Sequence, residues 1–265
     1  MIDFHNHILP DVDDGSKSLE MSLDMLREAE RQGITDVVNT VHFQHPKMDE
    51  KNVDYSFIET IKDNLQNKID GLGINIKLHI GAEVFYLPNL LDIKSNTLVG
   101  FGHGKYMLIE FYPFHLPPNF DNHFYQLKLS GTTPIIAHPE RNKMIQNDME
   151  ILAKLIDSGC LIQLDAGSLL GHFGPTCKEV AKSLLGRNMV HFIGSDAHNN
   201  KKRDFCLAPA VEIARGIMGD NVDILVNDNP SKVISGENII PFEMNEPFTP
   251  SNFITRLFNK IKKIK

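Results

Sequence analysis

The sequence predicts an α/β protein built on parallel strands. Short runs rich in Val, Ile and Leu alternate with helical patterns, as parallel βα units require. Each run has the length and apolar character of a strand buried on both faces. Glycines stand just past several of the helical stretches, where a helix commonly stops. At 265 residues, with 42% hydrophobic and 23% charged residues, the chain has room for a sizeable globular core.

Taken in order, the candidate strands are Ile2–His7, Asp36–His42, Lys77–Phe85, Tyr106–Phe111, Pro134–His138, Cys160–Ala166 and Val190–Asp196. Between the first two, Leu19–Gln32 carries Leu19, Leu23, Leu26 and Ala29 near a 3.6-residue period and meets Gly33. Asn52–Ile69, Asp121–Ser130, Asp148–Ser158, Pro175–Arg187 and Phe205–Met218 also read as helices, with Gly131 and Gly159 just past two of them. Two architectures fit this alternation: an open doubly wound sheet and a closed barrel. No GxGxxG follows the first strand and no GxxxxGK[ST] occurs, which counts against a nucleotide-binding open sheet. No internal repeat or linker divides the chain. Pro241–Pro250 reads as irregular and leads into a basic end, Ser251–Lys265.

A net charge of -7 argues against nucleic acid as a partner. No apolar run approaches the roughly 18 residues of a membrane span, and the N-terminus lacks the charged and apolar regions of a signal peptide. The three cysteines, Cys160, Cys177 and Cys206, are an odd number without a CxxC pair, so neither a disulfide framework nor a cysteine zinc site is expected, and a reducing cytoplasm is the simplest location. A cysteine-dependent phosphatase needs Cys-x5-Arg. The residues six past the three cysteines are Ala166, Ser183 and Glu212.

The 12 histidines matter because of where they fall. His5 and His7 stand two apart at the end of the first strand, so a strand's period places both imidazoles on one face. Asp11, Asp13 and Asp14 follow, closed by Gly15, which sits one position too early for a calcium loop. His42 ends the second strand, Glu83 and Glu110 lie near the ends of the third and fourth, His138 ends the fifth, and Asp196 ends the seventh with His198 two residues beyond. Asp165 ends the sixth without a clear role. Parallel βα folds bind ligands at the carboxyl ends of their strands. Carboxylates gathered there without cations would repel one another. His5, His7, Asp14, His42, Glu83, Glu110, His138, Asp196 and His198 are therefore candidate ligands, too many for one ion. Their nitrogen and oxygen donors suit zinc, manganese or iron. Two or three divalent ions would leave the centre ready for an anion and lower the pKa of a bound water. Arg141 and Arg203 are candidate phosphate forks.

These segments form a recognisable set. Phe4-His5-Asn6-His7, Asp11-Val12-Asp13-Asp14-Gly15, Gly81-Ala82-Glu83, Ile109-Glu110-Phe111, His138-Pro139-Glu140-Arg141 and Gly194-Ser195-Asp196-Ala197-His198 resemble the polymerase-and-histidinol-phosphatase (PHP) superfamily, and within it the bacterial tyrosine phosphatases of capsular and exopolysaccharide operons. The resemblance runs from Met1 to about Ile240 and includes Asn229-Pro230-Ser231 and Gly236-Glu237. It implies a distorted TIM-like (β/α)7 barrel over residues 1–250. It implies three metal ions, usually manganese, with iron, zinc or magnesium as alternatives, held by the nine ligands above. It implies that Arg141 and Arg203 contact the phosphate of a phosphotyrosine, which metal-bound hydroxide attacks without a cysteinyl intermediate. The implied partner is a tyrosine-phosphorylated protein, a bacterial autokinase controlling polysaccharide export. The loop Phe43-Gln44-His45-Pro46 is expected to vary in the family and shape substrate choice, with His45 at the surface rather than a ligand.

Two other functions share these features: a small-molecule phosphatase acting on a substrate such as histidinol phosphate, and a non-catalytic regulatory module of polysaccharide assembly. The tail 251–265 has Phe253, Ile254, Leu257, Phe258, Ile261 and Ile264 near one helical face, with only basic charges among them. It reads either as a helix packed on the barrel or as a contact with anionic lipid or a membrane-bound kinase, peripheral to the inner face of the membrane.

Overall fold

The computed structural model describes residues 1–48 and 54–245. Seven strands, β1 (Ile2–Asn6), β2 (Asp36–Phe43), β3 (Lys77–Phe85), β4 (Tyr106–Glu110), β5 (Thr133–Ala137), β6 (Leu161–Asp165) and β7 (Phe192–Gly194), pair in parallel in their sequence order. The sheet curls until its ends meet. Asn6 bridges Ala197, His7 N donates to Ala197 O at 2.8 Å, and Asp196 N donates to His5 O at 2.7 Å. These bonds lie just past β7, so the barrel is nearly closed, and the open doubly wound alternative is excluded.

The helices pack outside. Among the described residues they are α1 (Leu19–Arg31), α2 (Tyr55–Gly71), α3 (Leu90–Ile93), α4 (Phe120–Leu129), α5 (Lys143–Asn147), α6 (Glu150–Asp157), α7 (Ala166–Leu170), α8 (Pro175–Gly186), α9 (Leu207–Met218) and α10 (Asn229–Ser235). Ser18 caps α1, its hydroxyl accepting from Met21 N at 3.2 Å. Leu23, Met25, Leu26 and Ala29 turn inward from this helix, and Gly33 ends it at φ 76°. The long helices match the sequence expectation to within a few residues. The expected start of the second helix at Asn52 lies outside the described residues. Helices α3, α5, α7 and α10 were not expected, because four to seven residues are too few to display a period. Strand β7 is shorter than expected, since the chain leaves the sheet after Gly194 to make the closing contacts.

The barrel interior is layered. Phe4, Val38, Leu108, Ile135, Leu161 and Phe192 form the lower apolar layer, and Phe101 enters it from the loop between β3 and β4. Phe4 stacks on Phe192 at 4.6 Å and on Phe101 at 5.6 Å between ring centroids. Gly81 makes room for the plug: a Cβ there would lie 2.4 Å from the Phe101 ring. The upper layer is polar, and β1 reaches it through an irregularity. Its register against β2 runs Asp3↔Val37 and then Asn6↔Asn39, one extra residue on β1. The bulge resets the strand's alternation, so Phe4 and His5, consecutive in sequence, both face the interior.

No described helix is long and apolar enough to cross a membrane. The sequence expectations for 251–265 fall outside the described residues.

The loop after β1 packs against the strand without slack. Ser16 N donates to His7 O at 3.0 Å, and a Cβ on Gly15 would stand 2.1 Å from His7 O and 2.4 Å from His7 Cβ. Gly15→Ala should therefore cost about 1–3 kcal/mol in denaturant unfolding and displace His7. An unchanged unfolding midpoint and an unchanged metal content would contradict this packing.

Candidate metal centre

All nine predicted ligands meet at the carboxyl end of the barrel. Three groups of donor atoms each lie within 4.8 Å of one another: His7, Asp14, His42 and His198; His5, His7, Glu83 and Asp196; and His42, Glu83 and Glu110. The ninth residue, His138, places Nε2 2.7 Å from Glu83 Oε1. The groups share members. Glu83 Oε2 lies 3.2 Å from His5 Nε2, 3.3 Å from His7 Nε2 and 3.4 Å from His42 Nδ1. Asp14 Oδ1 lies 3.2 Å from His42 Nε2 and 3.3 Å from His198 Nε2.

Burial makes these groups depend on one another. Glu83 is 1% exposed and Asp196 2%. Burial opposes the charge on Glu83, yet the imidazoles of His5, His138 and His7 hold its carboxyl well below the usual range. Asp196 is held low in the same way, burial being outweighed by Arg141, His198 and Arg203. Glu110 has less compensation, and burial together with the charge of Glu83 drives it well above the usual range. Burial and then the Arg141 charge lower His138 to about 4, leaving it a neutral imidazole near pH 7.

The residues fit a metal. His5 Nε2, His7 Nε2, His42 Nδ1, Glu110 Oε1 and Asp196 Oδ1 are buried and make no hydrogen bond. A buried polar atom without a partner is costly, and here five of them converge. Supporting hydrogen bonds fix which nitrogen faces the centre. His7 donates from Nδ1 to Asp13 Oδ2 at 2.8 Å, and His5 donates from Nδ1 to Gln163 Oε1 at 3.1 Å, so both keep Nε2 for a ligand. Two of the candidate ligands also occupy strained backbone. His138 has φ 32° although a proline follows it, and Asp196 has φ 49°.

Both predicted arginines reach the same rim. Arg141 Nη1 and Arg203 Nη2 each lie 2.6 Å from Asp196 Oδ2. The unassigned Asp165 pairs with Arg141 and caps α7, accepting from Ser168 N at 3.1 Å. Phe173 covers the Arg141 guanidinium at 3.9 Å. Thus β6 supplies an anchor for an arginine where the other strand ends supply candidate ligands.

One expectation is corrected. His45 is no surface residue: its side chain is 13% exposed, it lines the cavity, and its Nε2 lies 3.4 Å from Glu110 Oε1. The left-handed backbone at Gln44, φ 50°, turns the chain back over the mouth. Sequence reasoning also gave no role to Asp3, Asp13, Gln163 and Glu140. Asp3 accepts from Ser195 N at 3.0 Å and Asn6 Nδ2 at 3.0 Å, and Glu140 accepts from Asp165 N at 3.0 Å and Ser168 Oγ at 2.7 Å. Asp3 and Gln163 did leave a signal, each being a polar residue inside a short apolar strand.

Comparison with known proteins agrees with this geometry. The chain is 36% identical to CapC of Staphylococcus aureus over 208 residues, covering 78% of this chain and 80% of that one. It is 35% identical to YwqE of Bacillus subtilis, a tyrosine-protein phosphatase, over 243 residues, or 90% and 93% of the two chains. Among solved structures, one from the pair YwqE of Bacillus subtilis and CpsB of Streptococcus pneumoniae, described as metal-dependent tyrosine phosphatases, superposes with TM-score 0.86 at 32% identity, covering 94% of this chain and all of that one. An organophosphorus hydrolase from Deinococcus radiodurans shares the fold alone, with TM-score 0.51 at 15% identity over 88% and 92% of the chains. The sequence pattern of the capsular polysaccharide synthesis CpsB/CapC family matches residues 1–235, and the chain belongs to that family.

Proposed function

We propose that this protein is a metal-dependent tyrosine-protein phosphatase acting in capsular or exopolysaccharide synthesis. The observation that carries the reading is the convergence of five buried, unbonded donor atoms at a rim that also holds two arginines. His7, Asp14, His42 and His198 would hold one ion, His5, His7, Glu83 and Asp196 a second, and His42, Glu83 and Glu110 a third, with His138 completing the set. We take the ion to be manganese. Ions there supply Lewis-acid polarisation of a phosphoryl oxygen and a nucleophile at neutral pH.

The chain's own residues do the rest. Asp13 and Gln163 orient His7 and His5. Arg141 and Arg203 bind the equatorial phosphate oxygens and neutralise the charge that builds there. Asp165 and Phe173 keep Arg141 in place before substrate arrives. The tyrosine leaves as a phenolate, stable enough to need little help from an acid. All three cysteines are buried, and desolvation raises each thiol, so none is a nucleophile. The substrate is the phosphotyrosine of a tyrosine autokinase, with residues 1–250 as the catalytic unit and 251–265 as a basic tail.

Purified protein should contain more than one metal ion per chain by elemental analysis. It should hydrolyse a phosphotyrosine peptide with manganese, lose that activity with chelator, and keep it after iodoacetamide. Hydrolysis of histidinol phosphate in preference to the peptide would overturn the substrate assignment, and thiol sensitivity would overturn the mechanism.

Arg141→Lys loses the planar fork and should lower kcat/KM by about 100-fold with metal content unchanged. Asp165→Asn keeps the helix cap and releases the arginine. It should raise KM severalfold in the wild-type background and have no further effect once Arg141→Ala is present. Additive effects of the two would show that Asp165 acts elsewhere.

A further inference from the structure

A line of rings runs from the metal centre to the surface. His42 lies 4.7 Å from His45 between centroids, His45 meets Phe85 edge-on at 5.3 Å, and Phe85 meets Tyr112 edge-on at 4.6 Å. Each ring is carried by the end of a neighbouring strand: His42 and His45 by β2, Phe85 by β3, Tyr112 by the turn just after β4. The edge-on contacts fix the ring planes, since the positive edge of one ring prefers the face of the next. Phe85 is 5% exposed and serves as backing, while Tyr112 is 45% exposed and presents its ring to the opening. These rings line the same cavity of about 260 Å³ as Arg141 and Arg203, which come from the β5 and β7 ends. The mouth therefore carries two arginines from the β5 and β7 ends and aromatic rings from the β2, β3 and β4 ends, with Lys47 also in its lining.

We propose that Tyr112, backed by Phe85, is an aryl subsite that selects phosphate esters of aromatic alcohols over those of alkyl alcohols. The inference rests on the phosphatase reading. A phosphate held on the ligand floor between the two arginines must send its ester group outward, past the rings that the β2, β3 and β4 ends place in the lining of the mouth. A phenyl ring lying along those rings buries more apolar surface than a serine or threonine side chain and gains an aromatic contact that neither can make. Tyr112 acts on specificity and not on the chemical step.

Phosphonates test this without the complication of leaving-group ability, because they are not hydrolysed. With the manganese-loaded full chain, phenylphosphonate and methylphosphonate are titrated by calorimetry and as inhibitors of p-nitrophenyl phosphate hydrolysis. Phenylphosphonate should bind about tenfold more tightly. Tyr112→Ala should reduce that preference to within about threefold while leaving methylphosphonate binding unchanged, and Phe85→Leu should fall between. Tyr125→Ala, on the outer helix α4, should retain the full preference. Thermal melting checks that each variant is folded. An equal affinity for the two phosphonates in the wild type, or an equal loss of both in Tyr112→Ala, would overturn the subsite. Hydrolysis of no phosphate ester by the wild type would instead overturn the phosphatase reading.

Discussion

Buried carboxylates need compensating charge, and the upper half of this barrel is organised around that need. Glu83 and Asp196 sit almost fully desolvated with a third acid, Glu110, close by. Desolvation disfavours their charged forms, and each acid raises the cost of the others. Imidazoles and guanidiniums offset part of this, holding the Glu83 and Asp196 carboxyls low, while burial and the Glu83 charge push Glu110 up. Metal ions held among these donors would offset the remainder. The same arrangement explains the five donor atoms left without hydrogen bonds.

The lower half has the opposite chemistry, and the contrast fixes the depth of the site. Stacked Phe4, Phe101 and Phe192 fill the bottom of the barrel, so polar ligands can point only upward. Rigidity in the floor transmits to the donors above it, because interiors at native packing density have little room to relax. Gly15 and Gly194 show how close the fit is: a Cβ on Gly194 would stand 2.8 Å from His5 Cβ. Gly15 abuts His7 and Gly194 abuts His5, so neither histidine has room to shift.

Strain is concentrated in the same place. His138 and Asp196 hold left-handed backbone, which costs of order 1–3 kcal/mol each, and their neighbours enforce it. Gln163 accepts from His138 N at 3.2 Å, and His198 Nδ1 donates to Asp196 O at 2.8 Å. The arginine cradle follows the same logic. Arg141 lies among two carboxylates and an aromatic face, which together hold its guanidinium in place. A site of this kind trades local stability for fixed geometry.

Parallel strands, the apolar faces of the long helices and the gathering of His, Asp and Glu at strand ends were all legible in the sequence, because each depends on a short repeat or on the C-terminal position of a residue in a strand. The nine donors could be named for that reason. Their roles around the rim were not legible. Whether the sheet opens or closes depends on contacts between His5, His7 and the segment after β7, nearly two hundred residues apart in sequence. A period of two puts His5 and His7 on one face, but only the bulge in β1 makes that the inner face alongside Phe4. Asp165, Gln163 and His45 acquire meaning from partners on other strands, and the aromatic wall exists only where β2, β3 and β4 bring their ends together. Local periodicity determined which residues face which way along an element. Closure of the barrel decided what they face, because pairing across long loops depends on the whole set of contacts at once.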